Sequence, residues 1–129
     1  LDRIDLHIEV PAVKYKELAS KERGETSEQI RARVIQAREI QRRRFAERKG
    51  LFANADMQSK EIREFCRIDA QGEELLKTAI TKLGLSARAY DRILKVGRTI
   101  ADLAPSNDIR PEHIGEAIQY RSLDRSLTI

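Results

Sequence analysis

Arginine carries the chemistry available to this sequence. Arg88 stands in "GLSARAYDRILKVGRTIADLA" (residues 84 to 104), two residues after Ser86, which has the form of a helix cap. A cation in a first helical turn opposes the helix dipole by a few tenths of a kcal/mol. It makes sense where its guanidinium reaches past the helix start to an external anion, which it can bond through two parallel N–H groups. It is equally open to being an exposed salt-bridge residue. A second set is denser: Arg31, Arg33, Arg38, Arg42, Arg43, Arg44, Arg48 and Lys49 face only Glu39 and Glu47 over the same stretch. At 100° per residue, Arg31, Arg38 and Arg42 share one flank of a helix and could touch phosphates through charge. No aromatics interleave them to stack bases, so a solvated face meeting acidic neighbours is the competing reading. Arg3, between Asp2 and Asp5, reads alone as a salt-bridge residue.

Other chemistries lack their parts. His7 and His113 are far apart in sequence, and His113, in the first turn of a last helix, reads as a surface residue. No HExxH, CxxC, paired-carboxylate or Gly-rich phosphate-loop pattern occurs. No metal ligands are therefore expected, and this chain by itself is not expected to catalyse a reaction. The one thiol, Cys66 in "REFCRI", reads as a buried structural cysteine and fits a reducing, cytoplasmic setting.

The elements that must position the arginines are helical. Charged residues make up 36% of the 129 and aromatics 5%, with net charge +4 and a pI near 9.4, so an anionic partner is permitted but not demanded. No apolar run is long enough to span a membrane, and "LDRIDLHIEV" has mixed charges unlike a signal peptide. Ile4, Leu6, Ile8 and Val10 alternate with polar residues, which predicts a strand over 3–10 stopped by Pro11. No second strand follows. With no initiating Met, the expectation is a piece of a longer protein whose sheet lies upstream.

After Pro11 the pattern predicts helices. "KYKELAS" (14 to 20) is a short one. "TSEQ" is a capping box opening a helix from Thr26 to about Arg48, with Ile30, Val34, Ala37, Gln41 and Phe45 on its buried stripe. Residues 49 to 57 read as a loop and 59 to 66 as a short helix. Asp69 caps the next helix, whose Leu75, Leu76, Ala79, Ile80 and Leu83 face inward and which ends at Gly84. The helix after Ser86 should bury Tyr90, Ile93, Leu94, Val96, Gly97, Ile100, Ala101 and Leu103. Pro111 starts the last, with Ile114, Ala117 and Ile118 inward.

Three stretches in series, "LDRIDLHIEVP", "GLSARAYDRILKVGRTIADL" and "IRPEHIGEAIQYRSLDR", with "GLFANADM" and "FCRID" between, resemble the magnesium-chelatase-like branch of the AAA+ ATPases, of the competence-protein type. The resemblance implies an all-α fold: the C-terminal helical lid over 13–129, preceded by one orphan strand of the ATPase core over 1–12. It implies that Arg3 acts in trans on a neighbour's nucleotide, although Ile4 stands where relatives often have Phe. It implies that Arg88 is the sensor-2 residue contacting ATP phosphate. ATP and Mg2+ would belong to the full-length protein and no cofactor to this chain alone. The expected partners are the upstream core, further copies in a hexamer, and DNA, with a role in recombination during natural transformation. A metal-insertion ATPase subunit and a free-standing helical DNA-binding module are the alternatives.

Overall fold

The computed structural model describes Leu6, Ile8 and residues 24–121. The expected strand over 3–10, the helix at 14–20 and Arg3 lie outside those residues, apart from Leu6 and Ile8, neither of which pairs in a ladder. The described residues form five α-helices and one 3-10 turn: α1 (Ser27–Arg44), the turn Asn54–Asp56, α2 (Ser59–Phe65), α3 (Ala70–Leu83), α4 (Ala87–Leu103) and α5 (Pro111–Gln119). Among the described residues there is no strand, and no helix is long and apolar enough to cross a membrane.

The helix ends obey local chemistry. Thr26 Oγ1 accepts the Gln29 N–H at 3.2 Å while Gln29 Oε1 accepts the Thr26 N–H at 3.0 Å, a reciprocal capping box that starts α1. The Asp69 carboxylate accepts the Gly72 N–H at 2.7 Å and starts α3. Gly84 ends α3 in the left-handed region (φ 61°), where a Cβ would be strained. Two residues on, Ser86 Oγ accepts the Ala89 N–H at 3.1 Å and starts α4. The prolyl ring of Pro111 presets the first turn of α5, where no N–H is missed.

Helix α4 is the central element, packed against α1, α2, the 3-10 turn and, most extensively, α5; α5 also covers α3. The core joins Ile93, Leu94 and Ala101 of α4 to Ile114 and Ala117 of α5, Leu76 of α3, Ile62 of α2 and Phe45 after α1. Gly97 lets α5 come close: a Cβ there would lie 3.1 Å from Ile114 Cδ1. Phe45 and Phe65 meet edge to face at 5.4 Å. A lone parallel bridge between Ile68 and Ile109 sets the starts of α3 and α5 side by side.

Three expectations change. Helix α1 stops at Arg44, because the chain must turn for Phe45 to enter the core. Its buried stripe begins only at Ala37; all side chains from 24 to 36 are exposed, including Ile30 at 45% and Val34 at 40%. The first half of α1 therefore projects from the body. Leu75 and Leu103 lie at the edges of their stripes and are partly exposed, at 40% and 37%.

Candidate functional site

Arg88 occupies the second position of α4 and its side chain is exposed, as a residue reaching outward from a helix start must be. The turn beneath it is fixed at both ends, by Gly84 behind and the Ser86 cap below. The first turn of α4 contains no acidic residue, so the positive end of the helix and the guanidinium reinforce each other.

The basic residues of α1 separate into two kinds. Arg31 and Arg38 are exposed. Arg42 is also exposed but grips Glu39 through both Nε (2.8 Å) and Nη2 (2.6 Å), with Arg43 Nε at 3.3 Å from the same carboxylate. The hydrogen bond from Arg42 is the main reason the Glu39 carboxyl is held down, from 4.5 to about 2. Arg33 bonds Glu25 at 2.6 Å. Arg42 is thus committed within its own helix, while Arg31 and Arg38 present the charge of that flank.

At the far end of α4 lies a buried network that the apolar periodicity did not reveal. The Asp102 carboxylate, fully buried, accepts Arg44 Nη2 at 2.6 Å, Arg44 Nη1 at 2.9 Å and Asn54 Nδ2 at 2.9 Å, and pairs with Arg98 Nε at 3.3 Å. Gln41 Oε1 accepts the Asn54 N–H at 2.9 Å, and Asn54 Nδ2 also reaches Thr99 Oγ1 at 3.0 Å. Arg98 continues outward, donating to the Asn107 and Ser106 carbonyls at 3.0 and 2.8 Å, which secures the chain after α4. Burial lowers the Arg98 pKa from its ordinary value, since desolvation disfavours the charged form, and the Asp102 charge opposes this. The visible signal was Arg98 and Asp102 at i and i+4 inside the inward stripe of α4, where charges are out of place unless paired.

The network fixes the end of α1 to the end of α4. Arg88 and Asp102 are on the same helix but about 21 Å apart along its axis at 1.5 Å per residue. The Arg88 helix start and the α1 anchor therefore sit at opposite ends of one rod. His113, read as a surface residue from sequence, is buried, and its Nδ1 accepts the Arg110 N–H at 2.9 Å. It thereby satisfies the backbone N–H of the residue that caps α5, a role its first-turn position allows. Cys66 is buried as expected, with Sγ at 4.0 Å from Met57 Sδ, and burial pushes its thiol up to about 11. A cavity of about 690 Å³ lies at the starts of α3 and α5, where Arg67 and Arg110 are mixed with Asp69, Asp108 and Glu112. That alternation of sign gives no coherent field for a phosphate. Among the described residues, no three His, Cys, Asp or Glu side chains are grouped to hold a metal ion.

Comparison with known proteins adds the lineage. A family model described as magnesium chelatase, subunit ChlI C-terminal, matches residues 24–121. Over 98% of its length the chain is 48% identical to the competence protein ComM of Haemophilus influenzae, covering 24% of that protein. It is 41% identical to the uncharacterized protein YifB of Escherichia coli, again over 98% of the chain and 24% of the relative. An uncharacterized protein of Mycobacterium tuberculosis is 30% identical over 94% of the chain, with 24% of the relative covered. The chain spans about a quarter of the length of these curated relatives.

Proposed function

Because the chain belongs to the family of the magnesium chelatase subunit ChlI C-terminal domain, we propose that it is the helical lid of an oligomeric, ATP-driven motor that remodels DNA. Arg88 carries the reading. It is an exposed guanidinium on a capped helix start with no acid in the first turn, which suits the charge that spreads over a transferring phosphate. The fit covers only that part of a nucleotide. Residues 24–121 contain no Gly-rich phosphate loop, so the upstream core would hold the bulk of ATP and its Mg2+. ATP supplies the phosphoryl group; Arg88 holds negative charge at its end. Arg3 is assigned the complementary role, on a neighbouring subunit's nucleotide in a hexamer, by the sequence resemblance.

The DNA half of the reading is supported by the competence protein among the relatives and by the exposed Arg31 and Arg38. A metal-insertion ATPase subunit draws instead on the description of the family. Near-complete coverage of this chain at 48% and 41% identity by ComM and YifB favours the first. A free-standing DNA-binding module is disfavoured because Arg42, Arg43 and Arg33 are spent on Glu39 and Glu25.

The test is Arg88→Ala in the full-length protein. Turnover of ATP should fall about tenfold to a thousandfold, the loss expected on removing a charge-stabilising donor. The melting temperature should stay at the parent's value, since Ser86 keeps the cap. Arg88→Lys should restore turnover only in part. Unchanged melting with unchanged turnover removes the assignment.

A further inference from the structure

Phe52, at 78% exposure, is the most exposed large apolar side chain among the described residues. The loop that carries it is anchored on both sides. Leu51, just before it, packs partly buried against the core, and Asn54, two residues after it, is buried. The Asp56 carboxylate accepts the N–H groups of both Phe52 and Ala53, at 3.0 and 3.1 Å. Asn54 is fastened to α1: its N–H reaches Gln41 Oε1 at 2.9 Å, and its Oδ1 accepts Arg44 Nη1 at 2.9 Å. The ring is thus held out in water by a fixed backbone. An aromatic ring presented this way offers contact area that does not first have to be ordered.

The same anchoring returns the ring to the basic helix from which the sequence separates it. Gln41, which holds Asn54, lies one turn from Arg38, and a helical turn rises about 5.4 Å. The two residues of chain from Asn54 back to Phe52 reach at most about 7 Å. Arg31, Arg38 and Lys49 are exposed, and no acidic side chain among the described residues pairs with them. The carboxylates nearby are spent elsewhere: Glu39 on Arg42 and Arg43, Glu64 on Arg48, Asp56 on the N–H groups of the loop; Glu47 stays exposed. A socket on a protein partner needs no such surplus of cations around a phenyl ring. A duplex offers phosphates but keeps its base faces stacked. A single strand offers both, a bare base face beside a charged backbone, and every base has a face that stacks on an aromatic ring.

We propose that Phe52 is a stacking platform for an unpaired nucleobase, with Arg38 and Lys49 holding phosphates of the same strand. The platform deepens the DNA reading given above and rests on it. Asn54 also bonds Thr99 and Asp102, so the platform belongs to the end of α4 opposite Arg88 and leaves the Arg88 helix start clear for a nucleotide.

Fluorescence anisotropy on the full-length protein tests it with two probes, a labelled single-stranded oligothymidylate and a blunt duplex of equal length. Phe52→Ala should weaken oligothymidylate binding about tenfold to a hundredfold, the loss of one base-stacking contact. The salt slope should not change, because no charge is removed. Duplex affinity and melting temperature should stay at the parent's values, since the ring is exposed. Phe52→Trp should keep the oligothymidylate affinity, because stacking needs only an aromatic ring. Equal loss for both probes, or a lowered melting temperature in Phe52→Ala, would make Phe52 a packing contact with the rest of the protein and overturn the platform. Unchanged oligothymidylate binding in Phe52→Ala, or a parent that binds the duplex alone, overturns the platform and leaves the DNA reading standing. A parent that binds neither probe removes the DNA reading and the platform with it.

Discussion

Arg44 and Asp102, one at the end of α1 and the other near the end of α4, meet through two hydrogen bonds of 2.9 and 2.6 Å around a fully buried carboxylate. This pair, with the buried Ala37 and Phe45, holds the end of α1 against the body. Asp102→Asn keeps the shape but leaves Arg44 and Arg98 facing each other without a counter-charge. The expected loss is about 3–5 kcal/mol of folding stability, read as a lower urea midpoint at unchanged slope. Replacing Arg44 as well, as Arg44→Met with Asp102→Leu, should cost less than the single change, since only Arg98 is then left without its counter-charge. A parent-like midpoint for Asp102→Asn would mean the network is not structural.

Arg31 and Arg38 should carry the salt dependence of any DNA binding by the full-length protein. Removing both as Arg31→Ala and Arg38→Ala should flatten the plot of log affinity against log salt by about one unit per arginine. Arg42→Ala should flatten it less, since that side chain is held by Glu39. Fluorescence anisotropy over a salt series makes the comparison, and an unchanged slope in the double variant would leave the face merely solvated.

Glu39 should titrate near pH 2 in a carboxyl-detected NMR titration. A depressed carboxylate contributes its stability above its unfolded value and loses it as pH falls from about 4.5 towards about 2. Arg42→Ala should return the midpoint part of the way to the ordinary range, with Arg43 retaining some of the depression. Melting at neutral pH should hardly change, because the pair is exposed to solvent.

Cys66 should resist thiol reagents in the folded chain. With its thiol pushed up from 9.0 to about 11, the thiolate at pH 8 is about a hundredfold scarcer than in the unfolded chain. The raised value favours the folded state below about pH 9, and that benefit is lost as pH rises through about 11. Native labelling as fast as labelling in denaturant would contradict the burial.

The parts of this fold that were legible in the sequence are those decided within a few residues. Thr26 with Gln29, Asp69, Ser86, Gly84 and Pro111 each act on a neighbouring backbone group, so their spacing alone specifies a helix start or stop. What was not legible needed a partner remote in the chain. Arg98 and Asp102 interrupt an apolar stripe, and nothing local says that Arg44 and Asn54 will meet them. Ile30 and Val34 continue the stripe of Ala37 and Gln41 faithfully, yet the body ends before reaching them. Periodicity names the face of a helix and is silent on how much of its length is covered. Within the candidate site the same divide holds: the cap beneath Arg88 was legible, and the anchor at the opposite end of its helix was not.

The bridge between Ile68 and Ile109 gives the chain a closed circuit. From Ile68 the polypeptide runs out along α3, reverses at Gly84, returns along α4 and arrives beside its own starting point. The turn between α3 and α4 is therefore the outer bend of a loop whose base is already tied, and the two arms need not rely on that bend to stay together. Arg88 stands just past the bend, at the end of the two arms that lies farthest from the tied base. The frame of the two arms is thus closed at its root by Ile68 and Ile109, whatever group the rim presents.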